Sequence, residues 1–453
     1  MKFDKTLYRI ETDTEVLSLW SLFLPLFFQL VLQNMLGTVN TVMLSHYSEG
    51  AVAAVGAASQ LTSMILNFYS VVSMGAGVVI SQYLGANRRE MAEKTAETAL
   101  LMGLAMGILI GMALALFSRP LLSLMQLKGT VLEQAVLYFR ILMSFSVLQA
   151  VLAVFNSILN SYGLPKISVG ISLLMNILNL LLNFVVIFRP FETPLRGVSG
   201  IAVSVVISEA VSVLLMTLFF LRLPIKIRTP FGGFQKIFKI SRSILSVGVP
   251  GGISNISYSL SQVVSTSIIA VIGVDAISAK VYLTNIFFYV YVLGLALGHA
   301  TSLMISRYAG AHEFEKAYRL NLQNLVITVA VNVSVSTAIF LFGGSIMRLF
   351  TENPSILEMS RPIMLIDIAV EAFRALNHIE GNALCSTGDS VFPMVISILS
   401  CWLVSIVFSY VFGIRCHLGL AGCWIAFGMD EAFRGTACVI RWNSKKWTTK
   451  TVT

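Results

Sequence analysis

Asp367, Glu371 and Arg374 follow one another at spacings of four and three inside an otherwise apolar stretch. Residues so spaced occupy neighbouring positions on one helical face. Charged side chains in an apolar span are costly unless they are paired or used. Such a carboxylate pair could exchange a proton, hold a monovalent cation or meet a cationic substrate. The plainer reading is a structural ion pair that ties one helix to its neighbour. No metal site is firm, and Asp367 and Glu371 become metal ligands only if the ion is Na⁺. Glu431 and Arg434 repeat the three-residue spacing. Glu209 takes the matching position of the first half, without an arginine three residues later, and this recurrence favours architecture over direct binding. Asn176, Asn179 and Asn183 lie three and four apart, so they share a face. With Asn40, Gln29 and Gln33 they make the first half polar but uncharged. Amides can bind a substrate or join helices, but they do not titrate near neutral pH. His378 is a possible proton carrier, although a lone histidine is more often satisfied by local polar groups. Arg140 and Lys280 either pair across a bundle or snorkel.

The elements that position these residues are membrane helices. Of the 453 residues, 56% are hydrophobic and only 12% charged, and the mean hydropathy is +0.83. A soluble domain carries about a quarter charged residues. Apolar runs of spanning length recur from residue 16 to residue 440, which predicts an all-α polytopic membrane protein of twelve transmembrane helices. The first run, from Val16, is too long for a cleaved signal peptide. Gly103, Gly107 and Gly111, spaced four apart in the third span, predict a close helix contact. The fourth span is expected as one helix from Ala135 to Leu159. Five cysteines lie in the last fifth of the chain with no CxxC, so neither a metal site nor a disulfide framework is suggested.

The spans fall into two copies of one unit. Ser81, Tyr83, Gly85 and Ala86 precede Ser306, Tyr308, Gly310 and Ala311 by 225 residues, and the same offset links Pro25 with Pro250 and Gly163 with Gly388. Gly197, Gly200 and Glu209 recur 222 residues later as Gly419, Gly422 and Glu431. The expected domains are an N-terminal six-helix bundle (1–221), a basic cytoplasmic connector (222–242) and a C-terminal six-helix bundle (243–453). Lys and Arg number 20 in the termini and the loops after spans two, four, six and eight, against seven in the opposite loops. Both termini are therefore expected in the cytoplasm, and the copies are parallel repeats. Paired bundles of this kind can open a central cleft to one side and then the other, which argues for transport. A channel would carry a filter motif or a charged pore ring, and the sequence has neither. The basic balance follows membrane orientation, so it implies no nucleic-acid partner. No nucleotide-binding glycine motif is present, so neither an enzyme nor a cofactor is expected.

Further residues carry a resemblance. Pro25 with Asn40-Thr-Val-Met43, the run from Gly50 to Gly56, Ser81-Gln-Tyr-Leu-Gly-Ala86, Ser306-Arg-Tyr-Ala-Gly-Ala311 and Ser386-Thr-Gly-Asp389 with Pro393-Met394 are its motifs. Over nearly its full length the chain resembles the multidrug and toxic compound extrusion (MATE) transporters. The resemblance implies export of amphipathic, often cationic organic compounds, driven by inward flow of H⁺ or Na⁺ through alternating access. It implies a multi-pass protein of the bacterial inner membrane among membrane lipids, and we expect a monomer. Many bacterial members have aspartates where Asn40 and, nearby, Asn183 fall; both are amides here. Another branch uses acidic residues in spans seven and ten. The expected coupling site is therefore Asp367 and Glu371, with Asn176, Asn179 and Asn183 lining the other wall. Two rivals are a lipid-linked precursor flippase, which would need a strongly cationic cavity, and a receptor or scaffold that no longer transports.

Overall fold

The apolar runs fold as helices, and most helices continue past the hydrophobic window into charged turns. The computed structural model describes residues 5–11, 16–45, 48–125, 127–188, 197–222 and 234–452. Most of the basic connector, with Lys226 and Arg228, lies outside the described residues, as do Arg189 and Arg196. Two short strands, β1 (Arg9–Glu11) and β2 (Val16–Ser18), pair antiparallel with Ile10 opposite Leu17. The first span therefore starts later than Val16. Ser18 and Ser21 explain where: the Ser18 hydroxyl accepts from the Ser21 amide at 3.1 Å, and the Ser21 hydroxyl accepts from the Ser18 amide at 3.1 Å. This reciprocal pair satisfies amides that the first helical turn leaves open.

In chain order the helices are α1 (Leu19–Ser45), α2 (Glu49–Gly85), α3 (Arg89–Leu116), α4 (Ser118–Ser123), α5 (Gly129–Ser144), α6 (Val147–Ser161), α7 (Pro165–Phe188) and α8 (Gly197–Arg222). The second copy has α9 (Phe234–Ile272), α10 (Val274–Gly310), α11 (Phe314–Arg348), α12 (Pro354–Ser386), α13 (Val391–Leu399), α14 (Val407–Tyr410) and α15 (Gly419–Asn443). The π-helical turns Ser400–Ile406 and Val411–Arg415 join α13 and α14 into one 25-residue helix. By length and hydropathy, eight helices among the described residues can cross a membrane, and α5 with α6 makes a ninth, bent by 51°. The remaining three spans are α1, α12 and α15, of 27, 33 and 25 residues. At 1.5 Å per residue each exceeds the roughly 30 Å of hydrocarbon; α12 and α15 fall short in hydropathy because they carry the charges. Apart from the β1–β2 pair, the described residues form an all-α fold with twelve helical segments long enough to span.

The duplication is visible in the backbone. Left-handed residues recur at the repeat offsets: Asn87 (φ 60°) with His312 (φ 58°), Gly163 (φ 80°) with Gly388 (φ 94°), and Gly197 (φ 58°) with Gly419 (φ 58°). Each pair ends or starts equivalent helices, where a positive φ turns the chain out of the helix.

The chain divides into two compact units that exchange short segments. One comprises 28–80 and 88–249; the other comprises 1–27, 81–87 and 250–453. The division falls two residues after Pro25 and immediately before Pro250, the repeat-related prolines, rather than within the connector. In the first unit, α3 meets α6 along its glycines. A Cβ on Gly103 would sit 3.0 Å from Val154, and one on Gly107 would sit 2.6 Å from the Val147 Cα. Buried Ser146, at the bend between α5 and α6, donates to the Gly107 carbonyl at 3.2 Å. The fourth span is therefore broken, not continuous: residues 145 and 146 leave the helical pattern. A core of Tyr69, Tyr138, Phe139 and Met143 closes this unit. In the other unit, Leu19 and Leu22 pack with α10, α12 and α15, and Trp442 stacks on Trp447 at 4.1 Å. Large side chains such as Leu109, Leu214 and Leu341 are well exposed, as lipid-facing positions require.

Candidate functional site

Helices α12 and α15 make the most extensive helix contact in the second unit, and they carry the charges into its interior. Asp367 and Glu371 are buried to 1% and 0% exposure, and Asp430, Glu431 and Arg434 to 7% or less. Glu371 forms an ion pair with Arg374 one turn along α12. Arg374 also reaches across to Glu431 on α15, Nε to Oε1 at 3.4 Å. Arg434 then binds Glu431 at 3.1 Å and Asp430 at 2.6 Å. The charges alternate in a ladder, Glu371–Arg374–Glu431–Arg434–Asp430, in which every guanidinium bridges two carboxylates.

Neutral donors complete the ladder. Asn377 Nδ2 donates to Glu431 at 2.9 Å, and the Ser400 hydroxyl donates to Asp430 at 2.6 Å from within the π-helical turn. Asn332 Nδ2 of α11 donates to Glu371 at 3.3 Å. The Arg434 guanidinium lies 5.5 Å from the Tyr258 ring centroid, within cation–π range. Asp367 stands apart. Its Oδ1 accepts from Trp424 Nε1 at 2.6 Å, while buried Oδ2 has no hydrogen-bond partner. Of these two neighbouring carboxylates on α12, Glu371 is thus bound to an arginine and Asp367 to a neutral indole.

In the other unit, the amides gather as a triangle. Asn40 donates to Asn179 at 3.1 Å, and Asn183 donates to both Asn40 and Asn179 at 3.2 Å. Buried Asn179 Nδ2 and Asn183 Oδ1 remain without partners. Asn176 turns to its own helix and donates to the Ser172 carbonyl at 2.8 Å, while Gln29 donates to the Ser172 hydroxyl at 3.3 Å. Glu209 is held elsewhere: Gln149 Nε2 of α6 donates to it at 2.9 Å. It is therefore not brought into the amide triangle. Arg140 donates to Ser118 at 3.4 Å and Lys280 to Thr266 at 2.5 Å, so both are satisfied by hydroxyls. His378 sits eight residues inside the end of α12, edge-on to Tyr291 with ring centroids 5.3 Å apart.

The residue reading missed Asn332, Asn377, Trp424 and Ser400, which complete the cluster, and it did not include Asp430 among the candidates. Asn332 was detectable. Asn321, Asn324, Thr328, Asn332 and Ser336 follow at spacings of three and four on α11, and all are buried. Chemically, the cluster combines four buried carboxylates with two guanidiniums. Fully ionised it would carry two negative charges in excess, which a low-dielectric interior tolerates only with added cations or protons.

Comparison with known proteins follows the same architecture. The family model MatE matches residues 25–185 and 250–411, two stretches that begin 225 residues apart. An uncharacterized transporter of Bacillus subtilis, YisQ, is 32% identical over 438 residues, covering 96% of this chain and 95% of its own. A probable multidrug resistance protein NorM of Thermotoga maritima is 28% identical, covering 95% of this chain and 92% of its own. Among solved structures, a multidrug resistance MATE family transporter of the MOP superfamily in an outward-facing conformation superposes with a TM-score of 0.85 at 21% identity, over 94% of this chain and 95% of that one. This last likeness concerns the fold alone.

Proposed function

The chain belongs to the MatE family of transporters, and from that premise we propose that it exports amphipathic organic cations in exchange for H⁺ or Na⁺, by alternating access. The excess of buried carboxylates over guanidiniums in the α12–α15 cluster is the observation that carries this reading. A coupling ion or a cationic substrate would supply the missing positive charge. Within the cluster, Asp367 is the group for ion exchange: it is buried, close to the charged ladder, and has one oxygen free of protein partners. Glu371 and Arg374 would sense occupancy at Asp367 through the field, because a charge added within a few ångströms in low dielectric shifts its neighbours strongly. The amides Asn40, Asn176, Asn179 and Asn183 would contribute uncharged binding surface, and Glu209 an architectural anchor. In this reading the six-helix bundles of residues 1–221 and 243–453 are the repeat units from which the two transport lobes are built, with 1–27 and 81–87 exchanged between them. The loop charges support both termini in the cytoplasm of a bacterial inner-membrane protein.

The flippase alternative is less favoured by the same geometry. Arg374 and Arg434 are each engaged by two carboxylates, so neither is free to meet a diphosphate. The test is reconstitution of the purified protein in liposomes loaded with a fluorescent organic cation. A pH gradient and a sodium gradient are imposed separately. Antiport predicts faster dye movement under at least one gradient; an identical rate with and without both gradients would overturn the reading.

A further inference from the structure

The seam between α11 and α12 holds more polar groups than its protein contacts satisfy. The hydrogen bond from Asn332 to Glu371 fixes the register of these antiparallel neighbours. Moving from it in opposite directions along the two helices brings Ser336 to the level of Asp367 and Asn321 to the level of Glu380. Asn321, Asn324, Thr328, Asn332 and Ser336 are each at most 1% exposed, and Glu380 is 2% exposed. Yet among the described residues both amide atoms of Asn321, Oδ1 of Asn324 and Asn332, the Ser336 hydroxyl, Asp367 Oδ2 and Glu380 Oε2 have no hydrogen-bond partner. Seven such atoms lie along a stripe about 22 Å long, taking 1.5 Å per residue from 321 to 336. Folded proteins leave few buried polar atoms unsatisfied, and those they do leave mark water or ions. A seam needed only for packing would be apolar, since unpaired amides in a membrane interior cost several kcal/mol each.

Glu380 ends this stripe, and among the described residues no arginine or lysine forms an ion pair with it. The Asn321 side chain lies beside its carboxyl, and Cys438 approaches from α15. Asn324 donates to Thr301 of α10 at 2.9 Å, and its buried oxygen has no hydrogen-bond partner among the described residues. A buried carboxyl flanked by neutral groups needs a cation or a proton to compensate it.

We propose that the α11–α12 seam is a water-lined route for the coupling cation, H⁺ or Na⁺, and that Glu380 is the ion-binding station at its Ser386 end. The route joins Asp367, near the middle of α12, to Glu380, six residues from its Ser386 end, so an ion reaches the acidic cluster through the helix seam and need not share the path of the organic substrate. The inference rests on ion-coupled transport and adds a residue and a path to it.

The test uses full-length protein in dye-loaded liposomes under each gradient, comparing wild type with Glu380→Gln, Glu380→Asp and Asn321→Leu. Folding is checked by thermal midpoint and size-exclusion profile. Glu380→Gln is expected to slow gradient-driven release about 100-fold, the lower range for loss of a positioned proton carrier. Glu380→Asp, which keeps the carboxyl, is expected to recover most of the rate, and the gradient to which wild type responds identifies the ion. Asn321→Leu removes no charge and is expected to slow release about tenfold by drying the seam, a loss equivalent to one displaced water-mediated contact. If Glu380→Gln does not fold, Asn321→Leu decides. Wild-type rates in the folded variants under a gradient that drives wild type would overturn the route alone. A wild type that answers neither gradient would overturn the antiport reading, and the route with it.

Discussion

Arg374 bridges two buried carboxylates, so its replacement by Gln should expose how much of the second unit depends on the charge ladder. Removing one partner of a buried pair typically costs about 3–5 kcal/mol, because the remaining charge stays buried without compensation. Arg374 is 19% exposed in its side chain, Glu371 is fully buried, and Glu431 retains Arg434 at 3.1 Å. The uncompensated group is therefore chiefly Glu371, and the low end of the range, about 3 kcal/mol, applies. At ~2–4 °C per kcal/mol for a unit of this size, the apparent thermal midpoint should fall by about 6–12 °C. The double variant Arg374→Gln with Glu371→Gln removes the stranded charge and should recover more than half of that loss. The assay is thermal unfolding in detergent for wild type, both single variants and the double variant, closed as a cycle so that the pair is separated from its surroundings. A fall below about 2 °C for Arg374→Gln, or no recovery in the double variant, would refute the ladder as drawn.

The glycine contact of α3 gives a second prediction. Gly107→Val should cost about 1–3 kcal/mol by overpacking against Val147, whereas Gly56→Ala, with nothing within 4 Å of the added carbon, should be neutral or stabilise by about 0.5–1 kcal/mol; thermal midpoints of the two decide. A third concerns Glu209. Glu209→Gln keeps an acceptor for Gln149 and should leave gradient-driven release within about twofold, while Glu209→Leu strands the Gln149 amide and should cost about 1–3 kcal/mol of stability.

The duplication was the most legible feature of the chain, because glycines and prolines at fixed offsets mark backbone events. The left-handed pairs Gly163 with Gly388 and Gly197 with Gly419 are those events. The α3 glycine stripe was legible for the same reason: absence of a side chain has one plain use at a spacing of four. The break at residues 145 and 146 was not legible, since Phe145 and Ser146 carry no breaker signal and the bend depends on Ser146 reaching the Gly107 carbonyl. The division at Pro25 and Pro250 was hidden as well. Both prolines lie inside continuous helices, and only tertiary contacts show where the chain passes from one unit to the other. At the site, the spacing of Asp367, Glu371 and Arg374 was readable from helical periodicity, but their partners were not. Trp424, Asn377 and Asp430 come from helices and turns that sequence alone cannot bring alongside. The α11 stripe was only partly legible, because Asn321 and Asn324 precede the apolar run that holds Thr328, Asn332 and Ser336. The helix itself begins at Phe314.

The central claim is that the carboxylates of α12 couple an ion to efflux. The most direct measurement compares wild type with Asp367→Asn and Glu371→Gln, singly and together, in dye-loaded liposomes under whichever gradient drives wild type. The account predicts that the double variant folds, as judged by its thermal midpoint, and loses acceleration by the gradient. Asp367→Asn alone should lose most of it. Normal gradient-driven release by the double variant would contradict the account.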